Sequence, residues 1–283
     1  MRKLIITADD FGLCESVNSA IIECVESGVV LSTNVMTNMP CAKDAEKLKI
    51  FGRKISIGLH WNLTTGSPVT PTEELSDLIT KDGKFLDTKL FKEKIAKNLI
   101  KKKEIIKELY AQYKLYVSLI GEEPSYWNTH QNIHINISLF KIFVELALEL
   151  GITRMRSHNK IFVRSSGQNR PRINSISDYL KTIVIASWNR YARKKGVRMP
   201  DGVLTFENHF DKYNIKECFL GKCSSSSDAS IAEMIIHPST SAEGEFLGSI
   251  REGRVKEYNA YKNWLLIDDL KDRNIELSNY WSL

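Results

Sequence analysis

Leu4-Ile5-Ile6-Thr7-Ala8-Asp9-Asp10-Phe11-Gly12 is an aliphatic, β-favouring run that ends in two adjacent carboxylates. Such a segment reads as a buried strand whose carboxyl end presents polar chemistry. Working outward, Val17, Ala20, Ile21, Cys24 and Val25 recur at helical spacing and are closed by Gly28. The alternation then repeats: strand-like runs at 29–36, 55–59, 126–129, 152–155, 203–206 and 234–236, and helical patterns at 42–48, 89–119, 139–150, 176–195 and 255–270. The polar stretch from Thr64 to Lys89 reads as a long functional loop. Alternation of this kind predicts βαβ units around a parallel sheet, an α/β protein. With about seven strands in one domain over residues 1–283, a (β/α) barrel is expected before an open sheet.

Composition narrows the function classes. Hydrophobic residues at 42% and charged residues at 26% describe a globular chain rather than a disordered or fibrous one. The net charge of +6 is mild for 283 residues. Its densest basic run, Lys101 to Lys103, is interrupted by Glu104 and Glu108, so it reads as a solvated helix face and no nucleic-acid partner is expected. No run approaches the roughly 20 apolar residues of a membrane span, and the apolar core near Met1 is too short for a signal peptide. Cys14, Cys24, Cys41, Cys218 and Cys223 are odd in number and scattered, which fits reduced thiols in the cytoplasm. Ser224 to Ser227 is too short to act as a linker.

Reactive side chains fall where those strands end. Asp9 and Asp10 follow the first, His60 the third, His130 follows Tyr126–Thr129, Arg156 follows Ile152–Met155, and His237 follows Met234–Ile236. Parallel strands bring their carboxyl ends to one face, where barrel enzymes keep their chemistry. Neighbours on an extended segment point apart, so one aspartate could bind a cation and the other accept a proton, unless the chain turns there. Imidazoles are common ligands of divalent metals, and three protein ligands make an open catalytic site. Of His130 and His134, one reads as a ligand and the other as a supporting or substrate contact. His237, before Pro238, could protonate a leaving group. Arg156 could pair with an acid beside the site or with an anionic substrate. Trp61 and Trp127 could stack on sugar faces or pack the core. His158 and His209 receive no role.

Four motifs carry a family resemblance: Thr7-Ala8-Asp9-Asp10-Phe11-Gly12; His60 followed by Asn62-Leu63-Thr64; Thr129-His130-Gln131-Asn132-Ile133-His134; and Glu233-Met234-Ile235-Ile236-His237-Pro238. In order and spacing they resemble the YdjC-like carbohydrate deacetylases. The resemblance implies a distorted (β/α) barrel, one divalent metal ion per chain (magnesium or zinc), and a cytoplasmic homodimer. It implies hydrolysis of an N-acetyl group from an amino sugar or short N-acetylated oligosaccharide, phosphorylated ones such as diacetylchitobiose-6-phosphate included. The metal ligands would be Asp10, His60 and His130, the base Asp9 and the acid His237, with His134, Arg156, Trp61 and Trp127 expected to contact substrate. Two departures stand out: no acid occurs in Arg154–Lys160, and Asn128 stands where the family has aspartate. Two rival readings use the same residues. A two-histidine, one-carboxylate iron oxygenase would need an oxidant, and a catalytically silent sugar-binding module would bind without releasing acetate.

Overall fold

The opening run forms the centre of the sheet. In a computed structural model, which describes residues 2–136, 138–163, 176–206, 229–262 and 266–283, β1 spans Lys3–Phe11 and is buried along nearly its whole length. Continuous burial is what a parallel strand covered on both faces requires, and it explains the unbroken aliphatic sequence. The other strands are β2 (Ser32–Val35), β3 (Ser56–Trp61), β4 (Trp127–Thr129), β5 (Lys160–Val163), β6 (Gly202–Phe206), β7 (Ile231–Ile236) and β8 (Glu276–Ser278). Seven of them run in the order β4-β3-β2-β1-β7-β6-β5, all parallel, and β8 pairs with the first residues of β1. The chain from Arg154 to Val163 reaches both edges: Met155 bridges to Trp127 in β4, while Lys160–Val163 pair with β6. The sheet therefore curls into the expected distorted barrel.

Helices cover the outside. They are α1 (Glu15–Glu26), α2 (Thr88–Ala96), α3 (Lys102–Ile120), α4 (Phe140–Glu149), α5 (Ile176–Lys194), α6 (Arg251–Lys262) and α7 (Leu266–Lys271). The apolar stripe of α1, Val17, Ile21, Cys24 and Val25, joins Leu4, Ile6 and Ala8 of β1 in the main core. Gly12 makes the turn between them possible: its φ is +99°, and a Cβ there would lie 2.8 Å from the Met36 carbonyl oxygen.

The structure revises several sequence expectations. The helical pattern over 89–119 is two helices, because Asn98 takes a left-handed conformation (φ 54°) after α2. The expected strand at 152–155 contributes only isolated pairings at Arg154 and Met155, and the strand proper lies at Lys160–Val163. The last helical pattern is helical on both sides, in α6 and α7, of residues 263–265, which lie outside the described residues. His209, Cys218, Cys223 and Ser224–Ser227 lie outside the described residues. Among the described residues, no helix is long and apolar enough to cross a membrane.

The stretch from Thr64 to Lys89 is tied to α3 by buried carboxylates. Glu108 accepts hydrogen bonds from the Val69 and Thr70 amides at 3.0 and 2.9 Å, and Glu104 accepts one from the Asp77 amide at 2.9 Å. A loop whose backbone donors are satisfied this way is a fixed wall.

Candidate active site

Both aspartates at the end of β1 face one cavity of about 490 Å³. Straight strand geometry forbids this, and the chain solves it by turning. Asp10 has φ 75°, and the register with β2 shifts between Ala8 and Phe11. Asn34, in the middle of buried β2, braces the kink: its Nδ2 donates to Asp9 Oδ1 at 2.6 Å, and its Oδ1 accepts from the Asp10 amide at 3.3 Å.

Asp10 gathers the imidazoles. His60 Nε2 from β3 lies 3.3 Å from Asp10 Oδ1, and His130 Nδ1, just past β4, lies 3.1 Å from the same oxygen. One donor atom from each of these residues fits within 4.8 Å of the others, an arrangement that could hold a metal ion. Asp10 Oδ2 accepts from Arg254 Nη2 of α6 at 2.6 Å. Burial alone would raise the Asp10 carboxyl, but His130, His60 and Arg254 overcome it and hold the group well below the usual carboxylate range. An ionised carboxylate beside two imidazoles suits a divalent cation chemically.

Asp9 belongs to a different set. Arg156 Nη1 and Nη2 donate to its two oxygens, each at 2.7 Å, and Arg156 Nε and Nη2 also donate to Glu233 of β7 at 3.0 to 3.2 Å. Thr7 donates to Glu233 at 2.7 Å. Burial pushes Asp9 up, yet the Arg156 guanidinium, with His60 and His237 adding, keeps it well below the usual carboxylate range. His237 Nε2 sits 3.9 Å from Asp9 Oδ2, and its backbone amide donates to Glu257 of α6.

Three of the four expected substrate contacts lie off the cavity. Trp61 and Trp127 are fully buried, pack together with Phe143, and do not line the cavity, so neither can stack on a sugar. Their strand positions face the core, which period-2 alternation alone could not settle. His134 is fully buried too: it lies against Thr129 and within 2.5 Å of His158 Nε2, away from the cavity. Arg156 does border the cavity, with its guanidinium hydrogen-bonded to Asp9 and Glu233.

A profile of the YdjC-like protein family matches residues 3–271. The chain belongs to the YdjC-like family. This YdjC-like protein is 35% identical over 155 residues to a protein of Danio rerio named carbohydrate deacetylase, a match covering 54% of this chain and 49% of that one. It is 29% identical over 241 residues to a Xenopus laevis protein of the same name, covering 78% and 73%. A Klebsiella pneumoniae chitooligosaccharide deacetylase is 33% identical over 151 residues, covering 53% and 58%. The YdjC-like chain thus spans about half the length of the Danio rerio relative. A crystal structure from Enterococcus faecalis V583, of a protein named for cellobiose-phosphate cleavage, superimposes with a TM-score of 0.73 at 23% identity over 99% of this chain and 98% of that one, which shows a shared fold.

Sequence reasoning on this YdjC-like protein gave no role to Asn34, Glu233 or Arg254. Glu233 carried a signal, since it interrupts a strand that is otherwise apolar, whereas Asn34 sits beside Ser32 and Thr33 and stood out less. Arg254, on a helix rich in charge and 244 residues from Asp10, carried none.

Asn128 matters for the cation site. Its amide lies 2.5 Å from His60 Nδ1 at one end, and at the other faces three donors: Arg156 at 2.9 and 3.1 Å and Asn34 Nδ2 at 3.0 Å. The oxygen can accept from those donors or from a protonated His60 Nδ1, but one amide oxygen cannot face both ways. A cation held by His60 Nε2 puts the imidazole proton on Nδ1, where it needs an acceptor. A carboxylate accepts at both ends. Asn128→Asp is therefore expected to tighten divalent-cation binding about 10-fold or more in a calorimetric titration. Unchanged or weaker binding would show that Asn128 does not govern the His60 tautomer.

The His134–His158 pair sets a pH limit on stability. Burial pushes the His158 imidazole down to about 3, with Arg156 adding. Burial, with His158 and Arg156 adding, also holds His134 well below its ordinary value. Both stay neutral in the fold at pH values where the unfolded chain binds protons. Their contribution is complete above the unfolded value of about 6.5 and is lost as pH falls toward the folded values, at up to about 1.4 kcal/mol per pH unit for each ring. Thermal unfolding should show Tm falling between about pH 6.5 and pH 4.5, with a shallower fall in His158→Gln. Equal slopes in both proteins would rule the pair out as its source.

Proposed function

We propose that this protein is a metal-dependent hydrolase that removes an N-acetyl group from an amino sugar or short N-acetylated oligosaccharide. One observation carries the reading: a cation-competent trio, Asp10, His60 and His130, shares a cavity with a second carboxylate, Asp9, that has a histidine 3.9 Å away. Two imidazoles and one carboxylate favour a borderline ion such as zinc over magnesium. A divalent cation held there supplies polarisation of the acetyl carbonyl and acidification of water.

The remaining work falls to side chains. Asp9 Oδ1 accepts from both Arg156 and Asn34, whereas Oδ2 accepts from Arg156 and faces His237. Oδ2 is thus the oxygen with a lone pair left to take the proton of the attacking water. Arg156 and Glu233 fix its direction, and the same guanidinium keeps it ionised. His237, which lines the same cavity, donates a proton from Nε2 to the departing amine. These groups come from strands near both ends of the chain, which supports reading residues 1–283 as one unit.

The relatives' names support the substrate class, and the homodimer and cytoplasmic location implied by the family resemblance are proposed with it. The test is acetate release from N-acetylated mono- and disaccharides, phosphorylated and not, by chelator-stripped protein with magnesium, zinc, manganese, cobalt or nickel restored singly. Cation-dependent acetate from one sugar is the expected result. Stoichiometric cation without acetate from any sugar would overturn the reading in favour of a silent sugar-binding module.

A further inference from the structure

The cavity lining combines polar side chains, Thr65, Gln131 and Asn132, with apolar ones, Phe246, Leu247 and Ile250. Phe246 carries the only Phe, Tyr or Trp ring among the described lining residues. Its backbone is left-handed, φ 65°, between Gly244 at φ 137° and Gly248 at φ 68°. A benzyl side chain is disfavoured in that conformation and glycine is not, so the ring is held in place against a local strain.

What holds it is visible. Leu247 is fully buried, and its carbonyl oxygen accepts from Arg254 Nε at 3.2 Å. The same guanidinium donates through Nη2 to Asp10 Oδ2 at 2.6 Å. One arginine therefore ties the loop of Phe246 to the carboxylate of the cation-competent trio. The ring and the reacting centre keep a fixed spacing.

We propose that Phe246 is the platform on which the C–H face of a pyranose ring lies, with the hydroxyl edge of that ring turned to Gln131 and Asn132. A pyranose presents one apolar face and a polar rim, which matches a lining that offers both apolar and polar side chains. The inference rests on the deacetylase reading and deepens it: the substrate is a cyclic N-acetylated sugar, and acyclic N-acetyl compounds are excluded by loss of the platform contact.

The test compares wild type, Phe246→Ala, Phe246→Gly and Phe246→Trp, each loaded with the same cation, on N,N'-diacetylchitobiose and on the alditol of N-acetylglucosamine, which contains no ring. The alanine and glycine variants should raise KM for ring-closed N-acetylated substrate about 10-fold, with kcat and cation stoichiometry little changed. The tryptophan variant should keep KM near wild type. The glycine variant relieves the backbone that the alanine variant leaves strained, so its Tm should not fall below that of Phe246→Ala, and an equal KM in the two separates lost binding from backbone strain. This acyclic alditol should bind weakly to wild type and no more weakly to Phe246→Ala. Equal KM in wild type, alanine and glycine variants overturns the platform, as does an equal loss on the acyclic probe. If wild type releases no acetate from any sugar, the deacetylase reading fails by itself. Calorimetric binding of diacetylchitobiose then decides the platform: weaker binding by Phe246→Ala supports it, and unchanged or absent binding overturns it.

Discussion

Asp9→Asn protein is expected to bind its divalent cation as wild type does and to lose turnover by about 10²- to 10⁴-fold, the usual range for removal of a general base. The geometry separates the two aspartates clearly. Asp10 Oδ1 lies 3.1 and 3.3 Å from the two imidazoles, whereas the histidine near Asp9 is His237, at 3.9 Å. Asparagine keeps the shape and an acceptor for one arm of Arg156 but cannot take a proton at neutral pH. Stability should fall as well, because a buried guanidinium loses a charged partner, and Glu233 limits the loss by remaining in place. Calorimetric cation titration, Tm and acetate release on one preparation separate these effects. Loss of cation binding with the fold intact would reverse the roles assigned to Asp9 and Asp10.

His60→Ala is expected to fail earlier, at the cation. It removes one of three donors and also the partner of Asn128, so affinity should drop by more than about 100-fold, beyond the usual cost of an outer hydrogen bond. His60 is buried, and the cavity left by its truncation will lower Tm. His130→Ala provides the control, since its side chain is 13% exposed and its loss disturbs packing less. Both variants should lose the cation, whatever their stabilities. Wild-type affinity in either variant would show that Asp10, His60 and His130 are not the ligand set.

Much of this site was legible because local rules act on it directly. A strand long enough to cross the sheet delivers its last residues to the carboxyl-end face, so Asp9, Asp10, His60, His130 and His237 could be placed together from pattern alone. The helix of α1 was legible for the same reason, through the spacing of Val17, Ile21, Cys24 and Val25. Periodicity was silent where two faces are equally buried. Trp61 and Trp127 sit on strands of uniform burial, and a tryptophan on such a strand gives no sign of whether it meets cavity or core.

By itself, then, the sequence determined most of the strand–helix alternation, though not β5 or β8, together with the family and the reactive groups at the ends of β1, β3, β4 and β7, since each of these depends on neighbours within a few residues. Tertiary structure decided the rest. The left-handed turn at Asp10 that brings adjacent carboxylates into one cavity needs Asn34 from β2. The division of Asp9 and Asp10 between Arg156 and Arg254 joins groups 147 and 244 residues apart. Phe246 is held in a conformation its own residue type disfavours. Contacts between such distant groups are set by packing and charge pairing across the curled sheet, and no local propensity encodes them.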